Sequence, residues 1–125
     1  MPWLVDGMNV IGSRPDGWWK DRDAAMRRLV GELELWAESH DDEVTVAFDR
    51  APRPAIVSEL IEVASARRRG ADAADDEIVR RLGAADDPDS WTVVTSDKRL
   101  AGRVKAIGAE IEASGAFLRR LSQDP

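Results

Sequence analysis

The apolar residues of this chain fall alternately into short runs and into longer stretches of helical periodicity. Three runs, at residues 3–5, 44–48 and 91–95, have the length and apolar content of buried parallel strands. From Asp21 to Ser39, apolar residues recur at the three-and-four spacing of an amphipathic helix. The pattern therefore predicts strands and helices in alternation.

The rest of the chain continues the alternation with one ambiguous stretch. Residues 55–66 favour a short turn or helix followed by a third strand, and residues 74–82 predict a helix that Gly83 ends. Ser96 is suited to cap a helix over residues 100–107, which Gly108 closes.

A short strand at residues 110–112 and a helix containing residues 117–121 complete the predicted elements, and Asp124 and Pro125 are expected to fray. Strands alternating with helices predict a single α/β domain over residues 1–125. Its central sheet is mainly parallel, has about five strands and is covered by helices on both faces.

Composition narrows the classes of protein that this domain can belong to. With 125 residues and 43% hydrophobic content, the chain suffices for one domain with a real core. The absence of cysteine excludes disulfides, thiolate zinc sites and cysteine nucleophiles. No stretch approaches the length of a membrane span or resembles an export signal, so we expect a cytoplasmic protein that does not bind membranes.

Several aspartates stand where predicted parallel strands end. Asp6, Asp49 and Asp97 each follow a strand by no more than two residues, and Asp75 and Asp76 open the helix after the third strand. Because the carboxyl ends of parallel strands share one edge of the sheet, we expect these side chains to converge there.

Clustered carboxylates repel one another unless cations lie between them. Carboxylate oxygens suit Mg²⁺ or Mn²⁺ better than zinc, and the single histidine, His40, lies at the far end of the first predicted helix. Such a site is typical of phosphodiester hydrolysis. Neither a glycine-rich phosphate loop nor a dinucleotide-binding fingerprint indicates a competing chemistry.

The segment Leu4-Val5-Asp6-Gly7-Met8-Asn9-Val10-Ile11-Gly12 resembles the opening motif of the YacP-like NYN domains, a branch of the PIN-like nucleases. Residues 74–78 (Ala-Asp-Asp-Glu-Ile) and 95–97 (Thr-Ser-Asp) resemble two further motifs of that family. The resemblance implies a three-layer PIN-like, Rossmann-like fold and a metal-dependent ribonuclease. It implies acidic site residues at Asp6, Asp75, Asp97 and Asp49, with Asn9 and Ser96 in support.

Two other kinds of protein share part of this pattern. A receiver domain also gathers aspartates at strand ends, but it needs two acids directly after the first strand and a lysine after the last, and both are missing here. An RNA-binding module that has lost catalysis would keep the fold. Metal-dependent cleavage of RNA distinguishes a nuclease from such a module.

The net charge of −6 argues against binding nucleic acid through a broad basic surface. Binding must then depend on metal ions and a few local cations, and five flank the predicted site in sequence: Arg67, Arg68, Arg69, Lys98 and Arg99. Trp18 and Trp19 either cover the core or stack on unpaired bases. We expect single-stranded RNA, or RNA with unpaired regions, as the substrate, and the sequence leaves the oligomeric state open.

Overall fold

The computed structural model describes residues 1–123, so the expectation that Asp124 and Pro125 fray lies outside the described residues. Five strands form one sheet: β1 (Pro2–Asp6), β2 (Glu43–Phe48), β3 (Glu62–Ser65), β4 (Thr92–Val94) and β5 (Glu110–Glu112). Five α-helices accompany them: α1 (Gly7–Gly12), α2 (Arg22–His40), α3 (Ala73–Ala84), α4 (Lys98–Ile107) and α5 (Ser114–Gln123). Short 3₁₀ turns occur at Trp18–Lys20 and Pro88–Ser90.

All neighbouring strands pair in parallel, in the order β3-β2-β1-β4-β5. The first strand is therefore central, and the chain crosses over to the other half of the sheet between β3 and β4. This confirms the predicted α/β class with a parallel sheet of five strands. The order also excludes a receiver domain, whose doubly wound sheet has the order 2-1-3-4-5.

Side chains of successive strand residues point to opposite faces, so each central strand contributes to two cores. Val5 faces a core built with α1, α2 and α5, whereas Leu4 faces one built with α3 and α4. Buried residues of the larger core include Val10, Leu29, Val46, Phe48 and Phe117, and those of the smaller one include Ala47, Ile78, Val93, Leu100 and Val104. Two-sided burial explains why these strands read as continuous apolar runs.

The described structure differs from the sequence-based expectations at four places. Helix α1 directly after β1 was not predicted, because six residues are too few to show a helical period. Residues 55–61 contain no helix, only bends before β3. Gly83 does not end α3, which continues to Ala84. Asp97, rather than Ser96, caps α4, since its carboxylate accepts hydrogen bonds from the backbone of Arg99 and Leu100.

Gly108 was predicted correctly as the end of α4, whereas the residue that caps α2 was not singled out from the sequence. Gly108 ends α4 with a φ of 106°, a left-handed conformation that glycine adopts without steric cost. Asp21 caps α2 by accepting a hydrogen bond from the backbone nitrogen of Ala24 at 3.0 Å. None of the helices within residues 1–123 is both long and apolar enough to span a membrane.

Candidate active site

Asp6 is the last residue of β1 and lies at the carboxyl edge of the sheet with only 4% of its surface exposed. Burial raises its pKa to about 6, and the negative charges of Asp75 and Asp97 add to that increase. The hydrogen bond from the Thr95 hydroxyl partly opposes the rise. Three acids that are distant in sequence therefore interact electrostatically at this edge.

Gly7 allows β1 to turn into α1 immediately after Asp6. A Cβ atom at this position would lie 2.5 Å from Cε1 of Phe48, far inside the contact distance of two carbon atoms. The absence of a side chain at Gly7 thus lets the first turn of α1 pack on the end of β2. This close approach fixes the backbone on which both Asp6 and Asn9 are carried.

Thr95 connects Asp6 with the segment that follows β4. Its hydroxyl donates a 2.9 Å hydrogen bond to Oδ2 of Asp6 and accepts one of 3.1 Å from the backbone nitrogen of Asp97. Thr95 is 1% exposed, so this bridge is shielded from water. Sequence reasoning gave Thr95 no role of its own, although it belongs to the motif at residues 95–97.

Asp97 and Asp75 approach Asp6 from the starts of two different helices. Asp97 precedes α4, and one of its oxygens, Oδ1, accepts the backbone N–H groups of Arg99 and Leu100. Asp75 lies in the first turn of α3, and burial together with the charge of Asp97 raises its pKa. The charges of Asp75 and Asp97 thus act on Asp6, while a common site for these three acids stays a prediction.

Asp72 also contributes negative charge here, and sequence reasoning missed it. Its charge raises the pKa of Asp75, while an arginine, Arg99, lies 3.5 Å from its Oδ2. Asp72 is the residue directly before α3, but no backbone group of the helix donates a hydrogen bond to its side chain. The position of an acid directly before a helix start was the signal that could have identified it.

Asp76 and Asp49 are engaged in ion pairs. The carboxylate of Asp76 is 67% exposed and lies 2.9 Å from Arg103 on α4. Asp49, beyond the end of β2, pairs with Arg22 at 2.8 Å through Oδ2. Its other oxygen, Oδ1, is buried and has no hydrogen-bond partner among residues 1–123. Neither acid is among the charges that contribute most to the raised pKa of Asp6.

Asn9 and Ser96 meet at the same edge. The side-chain oxygen Oδ1 of Asn9 accepts a 2.8 Å hydrogen bond from the backbone nitrogen of Ser96. It also accepts one of 2.7 Å from the hydroxyl of Ser114 at the start of α5. Ser114 is fully buried, and the sequence gave no reason to single it out.

The arginine triplet lines a cavity at the start of α3. Arg67, Arg68 and Arg69 lie between β3 and α3 and line a cavity of about 380 Å³ together with Asp72, Asp76, Glu77 and Arg80. Glu77 is buried, and its carboxylate pairs with Arg80 and Arg81, which lowers its pKa. Lys98 is exposed at the first position of α4.

Trp18, Trp19 and His40 differ in burial and packing. Trp18 is partly buried and packs against the larger core, whereas Trp19 is 61% exposed. His40 stacks on Trp36 at the end of α2, with ring centroids 4.6 Å apart. The packing of Trp18 is consistent with the first of the two predicted roles, and exposure leaves Trp19 accessible to a ligand.

The donor set of the cluster fits a hard divalent cation. Mg²⁺ is commonly held by one or two carboxylates while it retains several waters, and Asp6, Asp75 and Asp97 offer only oxygen ligands. A cation among them would relieve the repulsion that contributes to the raised pKa values of Asp6 and Asp75. Within residues 1–123, no group of three or more acidic, histidine or cysteine side chains is placed so that it could hold a metal ion.

The fold and the acids at its carboxyl edge define a three-layer α/β domain with a strand-end site. The chain belongs to the YacP-like NYN domain family, whose model matches residues 3–124. This membership supports a protein of the ribonuclease type. The family resemblance inferred from the motifs is thereby confirmed.

Two solved structures show the same fold. The crystal structure of Rae1 (YacP) from Bacillus subtilis superposes with a TM-score of 0.77 at 22% sequence identity, covering 98% of this chain and 74% of the other. A tryptophan-to-leucine mutant of that protein gives 0.78 at 21% identity with the same coverage. A search of curated protein sequences gives no match.

Proposed function

We propose that this protein is a metal-dependent ribonuclease that hydrolyses RNA phosphodiester bonds at the cluster of Asp6, Asp75 and Asp97. The observation that carries the proposal is the electrostatic coupling of these acids, which come from β1, α3 and the start of α4. Like charges placed close together at one edge of a sheet reduce the stability of the fold. Because α/β proteins bind ligands at this same edge, the crowded acids support a functional site there.

In this proposal Asp6, Asp75 and Asp97 would hold Mg²⁺ or Mn²⁺, with Asp76 at the exposed margin. The bound ion would activate water and stabilise charge on the phosphoryl oxygen. Thr95 keeps Oδ2 of Asp6 in place, and the backbone of α4 keeps Oδ1 of Asp97 in place. Both carboxylates therefore meet a ligand with little reorganisation.

Asp49 is the fourth acid of the proposed catalytic set. Its pairing with Arg22 holds Oδ2, while the buried Oδ1 is left without a partner among residues 1–123. A buried carboxylate oxygen without a hydrogen bond reduces stability, and a catalytic role or a bound water or ion can explain why it is kept. We assign to Asp49 the orientation of a water or a substrate group beside β1.

The arginine triplet is the proposed path of the RNA backbone. Asp72 and Asp76 in the same cavity already pair with Arg99 and Arg103 of α4. Arg68 and Arg69 form no ion pair within the described part of the chain, so their guanidinium groups are available to phosphates. Lys98 adds a further exposed cation next to Asp97.

RNA with unpaired nucleotides is the proposed substrate. The cavity that the arginine triplet lines has a volume of about 380 Å³, which suits one strand better than a duplex. Trp19, 61% exposed, offers a face on which a free base can stack. A cytoplasmic location, where RNA is abundant, belongs to the same proposal.

The proposal is tested by incubating the protein with a labelled RNA strand and with its perfect duplex in Mn²⁺, Mg²⁺ or EDTA. We expect cleavage of the single strand with either metal and none in EDTA. An Asp75→Asn variant should cleave neither substrate. RNA binding without cleavage would instead indicate a module that has lost catalysis, and faster cleavage of the duplex would contradict the preference for unpaired RNA.

The arginine path is tested separately by replacing Arg67, Arg68 and Arg69 together by alanine. Binding should weaken, and the slope of log affinity against log salt should fall by up to about 2, because each contact to single-stranded RNA contributes about 0.7. The matched control removes three exposed cations elsewhere, at Arg27, Lys105 and Arg119. Equal slopes for the two triple variants would remove the triplet from the substrate path.

A further inference from the structure

Ser114 connects the two polar residues that accompany the acids. Its hydroxyl donates to Oδ1 of Asn9 at 2.7 Å, and its backbone nitrogen donates to the hydroxyl oxygen of Ser96 at 2.9 Å. These bonds span 105 and 18 residues of sequence. Ser114 itself is 0% exposed, so it cannot contact substrate.

These contacts decide which end of the Asn9 carboxamide faces inward. The backbone nitrogen of Ser96 can only donate, so the atom 2.8 Å from it must be the oxygen of the carboxamide. Because an amide oxygen can only accept, the Ser114 hydroxyl must donate to Oδ1 as well. Both lone pairs of Oδ1 are then used, and rotation of the carboxamide would break two hydrogen bonds.

The nitrogen of the Asn9 carboxamide has no hydrogen-bond partner among the described residues. The nitrogen Nδ2 donates to no group among the described residues and is not among their buried unpartnered atoms. Asn9 lies in the first turn of α1, three residues after Asp6, which keeps it beside that acid. The two N–H donors of Nδ2 therefore have no partner within residues 1–123 and are not fully buried.

Ser96 is oriented in the same way. Its hydroxyl oxygen accepts the backbone N–H of Ser114, which leaves the hydroxyl hydrogen free to donate outward from an exposed residue. Ser114 thus constrains two donors, one in α1 after β1 and the other in the segment after β4. A serine at a helix start ordinarily caps its own helix, but this hydroxyl is directed to Asn9 instead.

We infer that Ser114 is a positioning residue that aims Nδ2 of Asn9 and the hydroxyl of Ser96 at a phosphate oxygen of the RNA. Donors fixed in advance stabilise developing charge better than donors that must reorient during the reaction. The inference rests on the proposed ribonuclease function, because it assigns the direction of the donors to the substrate of that site.

A double-mutant cycle separates positioning from a merely structural role. Cleavage of single-stranded RNA with Mn²⁺ is measured for wild type, Ser114→Ala, Asn9→Ala and the double variant. We expect Ser114→Ala to lower kcat roughly tenfold, the equivalent of one ordinary hydrogen bond, with KM nearly unchanged. In the Asn9→Ala background the same change should have much less effect, because its main target is gone.

The matched control is Ser13→Ala. The Ser13 hydroxyl also bonds to Asn9, but to its backbone oxygen, at 2.9 Å. This variant should keep the wild-type kcat. An equal loss from Ser114→Ala in both backgrounds, or no loss in either, would overturn the inference.

A measurement on the unmodified protein keeps the inference testable if Ser114→Ala fails to fold or if no RNA is cleaved. In ¹⁵N relaxation experiments the side-chain amide of Asn9 should be as rigid as the backbone, unlike that of exposed Gln123. A mobile Asn9 amide would overturn the inference whatever the activity. A rigid amide in a protein that cleaves no RNA would refute the proposed function and leave the positioning intact.

Discussion

The Thr95 hydroxyl joins the ends of two neighbouring strands by donating to Oδ2 of Asp6 at 2.9 Å. Because Thr95 also accepts the backbone N–H of Asp97, its single hydrogen must point toward Asp6. The carboxylate of Asp6 is thus hydrogen-bonded yet buried beside other acids. This conflict between burial and charge has consequences for stability, metal binding and catalysis.

The first prediction concerns the pH dependence of stability without metal. Asp6 has a pKa of about 6 in the folded protein and 3.8 ordinarily, so between these values the folded state holds a proton that the unfolded chain has released. The free energy of unfolding should therefore fall as pH rises through this window, with Asp6 contributing a loss of about 3 kcal/mol.

Asp6→Asn isolates this contribution. In EDTA, calorimetry at several pH values should show the variant more stable than wild type at pH 7.5, with the advantage vanishing near pH 4. The change replaces a buried charge by a neutral group of the same shape. A stability difference that does not vary with pH would contradict the assignment.

A second prediction concerns metal binding, which needs no RNA to measure. A cation that binds only the folded state raises the melting temperature in proportion to the logarithm of its concentration once binding is saturated. Mn²⁺ should therefore stabilise the wild-type protein, and Asp6→Ala should abolish the increase. Asp89→Ala, which changes an acid of the Pro88–Ser90 turn, is the control and should respond like wild type. Identical Mn²⁺ responses of all three proteins would place the cation elsewhere.

The third prediction separates the two tasks of Asp97, which caps α4 and belongs to the acidic cluster. Asparagine caps a helix about as well as aspartate, whereas alanine loses about 1 kcal/mol. Asp97→Asn should therefore keep the stability of the fold but abolish Mn²⁺-dependent RNA cleavage. Asp97→Ala should abolish cleavage as well and also reduce the free energy of unfolding. Comparable cleavage by wild type and Asp97→Asn would show that the negative charge of Asp97 is not needed.

The fourth prediction concerns Gly7, whose missing side chain allows contact with Phe48. Gly7→Ala should reduce the free energy of unfolding by about 1–3 kcal/mol, since a methyl group there must displace a buried aromatic ring. The control is Gly83→Ala inside α3, where nothing lies within 4 Å of the added Cβ. That change should stabilise the protein by about 0.5–1 kcal/mol, and urea denaturation of both variants measures the contrast. Equal effects of the two changes would mean that α1 moves easily away from Phe48.

Much of the fold follows from local patterns in the sequence. Apolar runs of strand length, the helical period from Asp21 to Ser39 and the glycine at Gly108 each depend on neighbours within a few residues. Because all strands of an alternating α/β chain run the same way, the sequence also placed Asp6, Asp75 and Asp97 at one edge. Local patterns did not predict helix α1, because it is too short to show a helical period. They also placed the end of α3 at Gly83, although a glycine can lie inside a helix.

Tertiary structure decided the properties that depend on residues far apart in sequence. The pKa of Asp6 follows from how deeply the edge of the sheet is covered, and the availability of Arg68 and Arg69 follows from which acids other arginines already hold. The orientation of Asn9 depends on Ser114, 105 residues away. Periodicity determines which face of an element is buried, but only packing determines which polar atoms then meet, because hydrogen bonds and desolvation act over a few ångströms in space rather than along the chain.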